Sequence, residues 1–236
     1  MIYQNLKSLF ALMLSVIGTA IAHANDAMPA VEYPVDNAKP DSPLVVLVSG
    51  DGGWAEIDQE LAERWQNRGW PVVGVNALKY FWKERTPDGF TNDLAELIQS
   101  YRTKWGERPV ILAGFSFGAV VVPFAGNRLP DAIRENVAAM VLISPTENSI
   151  WKAGLRSWFG GGDTGPPVGP ELDALAPLPT FVLTGEKDPD AFHQWNERSG
   201  LQHYIWPGDH HLDRNYDRIG MVVVEFYTKT RGNLER

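Results

Sequence analysis

The sequence has no cysteine among its 236 residues. That absence excludes a disulfide framework, a cysteine nucleophile, thiolate metal sites and lipoprotein acylation. Positive charge is also short. Against 29 aspartates and glutamates stand 21 lysines and arginines, a formal net charge of −8. Such a balance disfavours nucleic acid as a partner and direct adsorption on anionic lipid, but it favours a cationic substrate. Histidine is scarce as well: beyond residue 24 there are only His193, His203, His210 and His211. A histidine base has to be one of these. No segment repeats, and no linker is long enough to divide the chain. The length and a hydrophobic content of 44% fit one globular domain with an unstapled core.

Long apolar runs are missing except near the N-terminus. There Leu9 to Ile17 comes after Lys7 and leads to Ala22-His23-Ala24, a small-x-small pattern. Residues 1–24 read as a secretory signal peptide cleaved after Ala24, with an uncleaved anchor as the alternative. No twin-arginine pair precedes the run, so a Sec-type route to the periplasm is expected. Residues 25–236 would then form the single domain, and losing Lys7 would take the formal charge from −8 to −9.

Beyond residue 42 strand and helix patterns alternate. Residues 25–42 themselves read as an exported leader or an edge strand. Leu44 to Val48 is a continuous apolar run, expected of a strand buried on both faces. A glycine-rich turn, Ser49-Gly50-Asp51-Gly52-Gly53-Trp54, leads to a helical pattern over 55–68. Val72 to Val75, Pro109 to Ala113, Ala139 to Ile143, Thr180 to Thr184 and Tyr204 to Trp206 read as further strands. Helical patterns cover 91–105, 117–128, a stretch after Asp190 and 213–230. Residues 145–178, with their prolines and Gly160-Gly161-Gly162, interrupt the alternation. The order implies an α/β fold with a mostly parallel sheet, helices on both faces and a short lid segment.

Gly114-Phe115-Ser116-Phe117-Gly118 sits between a strand and a helix. A sharp strand-to-helix turn exposes its central side chain, and glycine two positions away on each side removes the clash. This is the G-x-S-x-G nucleophile elbow in its proper context, with the helix N-terminus favouring negative charge at the reacting centre. Read blandly, it is a glycine-rich turn with an ordinary serine. Serine needs a base. In an elbow-type enzyme the acid and then the histidine come later in the chain. His210, after Gly208-Asp209, is the expected base and His211 a structural neighbour. A metal reading of His210-His211-x-Asp213 is weaker, because adjacent side chains diverge. The acid is expected after the strand ending at Thr184: Asp188 first, Asp190 as alternative, then Glu186. The oxyanion donors are expected to be the amide of Phe117 and that of Asp51 or Gly52. No G-K-[ST] accompanies the glycine-rich turn, so it is no phosphate loop. No metal or other cofactor is expected.

SGDGGW at 49–54, YFWKERTPDGFTNDL at 80–94, GFSFGAVVVPFAGNRLP at 114–130 and GDHHLDRNYDRI at 208–219 together resemble the VirJ/AcvB family of exported bacterial serine hydrolases. The resemblance implies the α/β-hydrolase fold and hydrolysis of the aminoacyl ester of lysyl- or alanyl-phosphatidylglycerol, a membrane lipid headgroup reached by peripheral contact. Gly52, Trp54, Tyr80, Trp82 and Arg85 are then expected near the substrate. Trp151, Trp158 and Phe159 either form a lid that touches lipid or pack in the core. A general exported esterase or thioesterase would use the same site, and a hydrolase-like adaptor of a secretion system is the non-catalytic alternative.

Overall fold

The computed structural model describes residues 28–154, 165–192 and 200–234. The leader reading of residues 1–24, and Trp158, Phe159 and His193, lie outside them. The apolar runs become strands: β1 (Ala30–Tyr33), β2 (Leu44–Val48), β3 (Val72–Val75), β4 (Val110–Phe115), β5 (Val137–Ile143), β6 (Thr180–Gly185) and β7 (Leu201–Trp206). Among the described residues they form one seven-stranded sheet in the order β1-β3-β2-β4-β5-β6-β7. Every pairing is parallel except β1 with β3. Part of the 25–42 segment is therefore an edge strand.

The helices are α1 (Glu56–Asn67), α2 (Ala77–Tyr80), α3 (Pro87–Trp105), α4 (Phe117–Arg128), α5 (Asp131–Arg134), α6 (Gly169–Ala174) and α7 (Tyr216–Leu234). Helix α3 starts earlier than its apolar periodicity suggests. Thr86 caps it by accepting the Gly89 amide, and Pro87 fills the first turn, where its missing N–H costs nothing. Helix α7 starts later, at Tyr216 and not Asp213. Leu212, Asp213 and Arg214 have φ of 56°, 51° and 55°, so they form a left-handed turn that no right-handed helix can include.

Both faces of the sheet are covered, and alternation along β2 shows how. Leu44, Val46 and Val48 join the core under α3 and α4, while Val45 and Leu47 join the core under α1 and α7. Each fully buried aliphatic side chain of this kind contributes about 1.5–3 kcal/mol. Helices α1 and α7 are also tied directly, by Trp65 Nε1 donating to the Gly220 carbonyl at 3.3 Å. The parallel arrangement brings the C-terminal ends of β2, β4, β5, β6 and β7 to one edge of the sheet. The candidate residues all leave from that edge.

Candidate active site

The elbow is built as the sequence suggests. Ser116 has φ 50° and ψ −111°, a conformation costly for any side-chain-bearing residue. Two glycines make it feasible. A Cβ on Gly114 would lie 2.3 Å from the Gly118 carbonyl carbon, and one on Gly118 would lie 2.0 Å from the Val48 carbonyl oxygen. The Ser116 amide donates to the Ile143 carbonyl of β5 at 2.8 Å, which locks the turn to the neighbouring strand.

Around Ser116 the chain converges. His210 Nε2 lies 2.8 Å from Ser116 Oγ, and His210 Nδ1 lies 2.7 Å from Asp188 Oδ2. A carboxylate only accepts, so Nδ1 carries the proton and Nε2 presents a lone pair to the serine hydroxyl. The Asp188 side chain is fully buried and that of His210 28% exposed. The Asp190 amide donates to Asp188 Oδ1 at 3.1 Å, so the aspartate is held on both oxygens. Asp190 and Glu186 are exposed. The structure thus brings together Ser116, His210 and Asp188, and Asp190 contributes its backbone.

The histidine loop is held by close packing. Gly185 lets it approach β6: a Cβ there would sit 2.2 Å from the Asp209 carbonyl oxygen. Leu212 anchors the left-handed turn with no exposure at all. Phe115, the residue before the serine, lies with its ring 5.5 Å from both imidazoles. His211 turns away, its ring at 82° to that of His210, and its amide donates to Asp209 Oδ1. Burial, and then His210, hold the His211 imidazole below its ordinary range.

The glycine-rich turn abuts the elbow. A Cβ on Gly50 would stand 3.6 Å from Ser116 Cβ. The Gly118 amide donates to the Ser49 carbonyl and the Gly53 amide to the Gly50 carbonyl. Phe117 opens α4, so its amide has no intrahelical acceptor. Asp51 comes directly after Gly50 at this turn, and Gly52 projects into open space.

The other expected substrate contacts make packing contacts around the elbow. Trp54 is packed across β3: a Cβ on Gly74 would fall 2.0 Å from its ring, and its indole donates to Tyr33 at 3.2 Å. Tyr80 is buried, with its hydroxyl on Asp93 and its ring against Phe81 and Phe90. Burial, then Asp93, push its phenol well above its ordinary range. Arg85 folds back on it, 4.4 Å from the ring centroid, with Nε donating to the Tyr80 carbonyl. Tyr80 and Arg85 belong to a packed wall whose inner face touches the elbow, because Phe81 meets Phe117 edge-on with ring centroids 4.7 Å apart. Trp151 is part of the same wall, against Phe81, Phe90 and Phe124. Trp82 projects outward, 62% exposed.

Known structures share this architecture at low identity. Est1E from Butyrivibrio proteoclasticus is 15% identical with a TM-score of 0.63, over 86% of this chain and 94% of that one. YbtT, the type II thioesterase from the yersiniabactin biosynthetic pathway, is 15% identical with a TM-score of 0.56, over 85% and 98%. MenH from S. aureus is 12% identical with a TM-score of 0.59, over 86% and 98%. The fold is that of the α/β-hydrolases. No curated protein matches the sequence. The family model described as bacterial virulence protein (VirJ) matches residues 42–231, which include the elbow, the acid turn and the histidine loop, and the chain therefore belongs to the VirJ family.

Proposed function

We propose that this protein is an exported serine ester hydrolase that removes the amino acid from aminoacylated phosphatidylglycerol at the periplasmic face of the membrane. The observation that carries the chemistry is the two-sided engagement of His210, with Ser116 on one nitrogen and buried Asp188 on the other. His210 Nε2 takes the hydroxyl proton as Ser116 Oγ attacks the ester carbonyl. Asp188 holds the tautomer and stabilises the imidazolium that forms. The Phe117 and Asp51 amides receive the oxyanion. The imidazolium then protonates the departing glycerol oxygen, which frees phosphatidylglycerol and leaves an aminoacyl-serine. A water deprotonated by His210 hydrolyses that ester and releases the amino acid.

The substrate class rests on chemistry and on the resemblance of the four motifs. An aminoacyl ester carries an ammonium beside its carbonyl, which activates the carbonyl and suits a protein of net charge −8. Trp82, exposed directly after Phe81, suits contact with a membrane interface. The second reading is a general exported esterase or thioesterase, favoured by the likeness to Est1E and YbtT. Purified protein and Ser116→Ala, incubated with lysyl- and alanyl-phosphatidylglycerol, separate the two. Serine-dependent release of free amino acid supports the lipid reading. Cleavage of p-nitrophenyl acetate without release from either lipid supports the general esterase. Full activity of Ser116→Ala on every substrate removes the mechanism.

A further inference from the structure

Strand β5 lends no side chain to the reaction, yet its last residue and the one after it touch all three parts of the site. The Ile143 carbonyl accepts the Ser116 amide at 2.8 Å. The Ser144 amide donates to the Leu183 carbonyl of β6 at 2.7 Å, on the strand that leads to Asp188. The Ser144 hydroxyl donates to the His210 carbonyl at 2.8 Å. Ser144 is fully buried and sits at φ 51°, in the left-handed region. A non-glycine residue is rarely found there without a reason. Glycine would fit this backbone with less strain, but it would leave the His210 carbonyl without the hydroxyl. From these contacts we infer that Ser144 is a positioning residue. Its hydroxyl fixes the main chain of His210 and so sets the distance from Nε2 to Ser116.

His210 leaves β7 on a turn whose neighbours are anchored on both sides: the Gly208 carbonyl accepts the Lys187 amide, the Asp209 carbonyl accepts the Leu212 amide, Leu212 buries the far side and Phe115 flanks the ring. Its own carbonyl is fixed by Ser144 alone among the hydrogen bonds of the described residues. Proton transfer is sensitive to placement, and a displacement of about 1 Å is able to slow a reaction by about 100-fold. The hydroxyl couples the histidine loop to the same two-residue step that holds the serine's amide, so the base and the nucleophile share one frame.

This role for Ser144 rests on the Ser116–His210–Asp188 reading, and one experiment separates the two. A fluorophosphonate probe reacts with an activated serine: Ser116 Oγ bonds to phosphorus, fluoride leaves and His210 receives the proton. Labelling rate as a function of pH and thermal stability are measured for the native protein, Ser144→Ala, Ser144→Gly and Ser116→Ala. Ser144→Ala and Ser144→Gly are both expected to label about 10- to 100-fold more slowly, with a displaced acidic limb in the pH profile. Their melting temperatures should diverge, the glycine variant being the more stable because it accepts the positive φ. Slow labelling in both, whatever their stabilities, supports the inference. Native labelling in Ser144→Gly overturns it, since backbone conformation would then be the only role of the residue. Native labelling in both overturns it too. If Ser116→Ala labels like the native protein, the catalytic reading itself fails and takes this inference with it.

Discussion

The serine elbow and the histidine loop do comparable work by opposite means. Both place a side chain of the proposed triad at the same edge of the sheet, and both adopt backbone that L-residues avoid. At the elbow one residue is strained, Ser116, and glycines on either side absorb the crowding. In the histidine loop three successive residues, Leu212 to Arg214, are left-handed and none is glycine. Their conformation is imposed by tertiary contacts: buried Leu212, the Asp209 carbonyl accepting the Leu212 amide, and the close pass of Asp209 over Gly185. Strain relieved locally leaves a sequence signature. Strain carried by the surrounding fold leaves none.

The largest break in this comparison should come from the residue that joins the loop to the chemistry. Asp188→Asn should lower turnover by about 10⁴-fold, because an amide favours the wrong imidazole tautomer. Asp190→Asn should change it by less than about threefold, since only its backbone amide reaches Asp188. Steady-state kinetics on a soluble ester reads both, and equal losses would contradict the assignment of the acid.

Gly118→Ala tests the elbow itself. A methyl 2.0 Å from the Val48 carbonyl cannot be accommodated without moving β2 or α4. We expect a loss of about 3 kcal/mol or more, or failure to fold, in urea denaturation.

A pH dependence of stability enters on the elbow's side, from the helix that leaves the glycine-rich turn. Asp58, in the first turn of α1, is fully buried, with Oδ2 accepting the Ala55 amide at 2.9 Å and Oδ1 without a hydrogen-bond partner. Burial pushes its carboxyl up to about 7. A carboxyl whose folded value exceeds its unfolded value binds more protons in the folded state between the two. Stability therefore falls as pH rises from about 4 to about 7, by up to a few kcal/mol, and stays lower above that range. In Asp58→Asn that decline should be largely absent from melting temperatures measured across the range.

The smallest effect sharpens the comparison from the loop side. Asp213→Gly removes a side chain from a position with φ 51°. It should raise stability by about 0.5–1 kcal/mol with little change in turnover, since glycine accepts this backbone. A marked destabilisation would mean that the Asp213 side chain, packed over Gly208, holds the turn.

The legibility of the site obeys the same division. Ser116, Asp188 and His210 could be picked out in order because the elbow pattern and the strand ends constrain where an acid and a base must fall. The choice of Asp188 over Asp190 needed coordinates: both come within a few residues of the end of β6, and only burial and direction distinguish them. Trp54, Tyr80 and Arg85 all take part in packing, which the sequence does not show, because an aromatic or a long cation near a site in sequence looks the same whether or not its ring covers a glycine of the sheet. Ser144 carried no signal at all. A serine after an apolar strand is common, and its importance lies in a hydrogen bond to a residue 66 positions later. The start of α7 is hidden in the sequence for a related reason: the composition of 212–215 permits a helix, and only the surrounding contacts enforce the left-handed turn.

By itself the sequence determined the alternation of strands and helices and the position of the elbow. These depend on local apolar runs and on glycine sterics, which act over a few residues. Which carboxylate meets His210, how the histidine loop is wound and which aromatics close the wall beside Phe117 were decided only by tertiary structure. Those outcomes depend on burial and on hydrogen bonds between segments far apart in the chain, and the free energy of such contacts exists only once the sheet has brought them together.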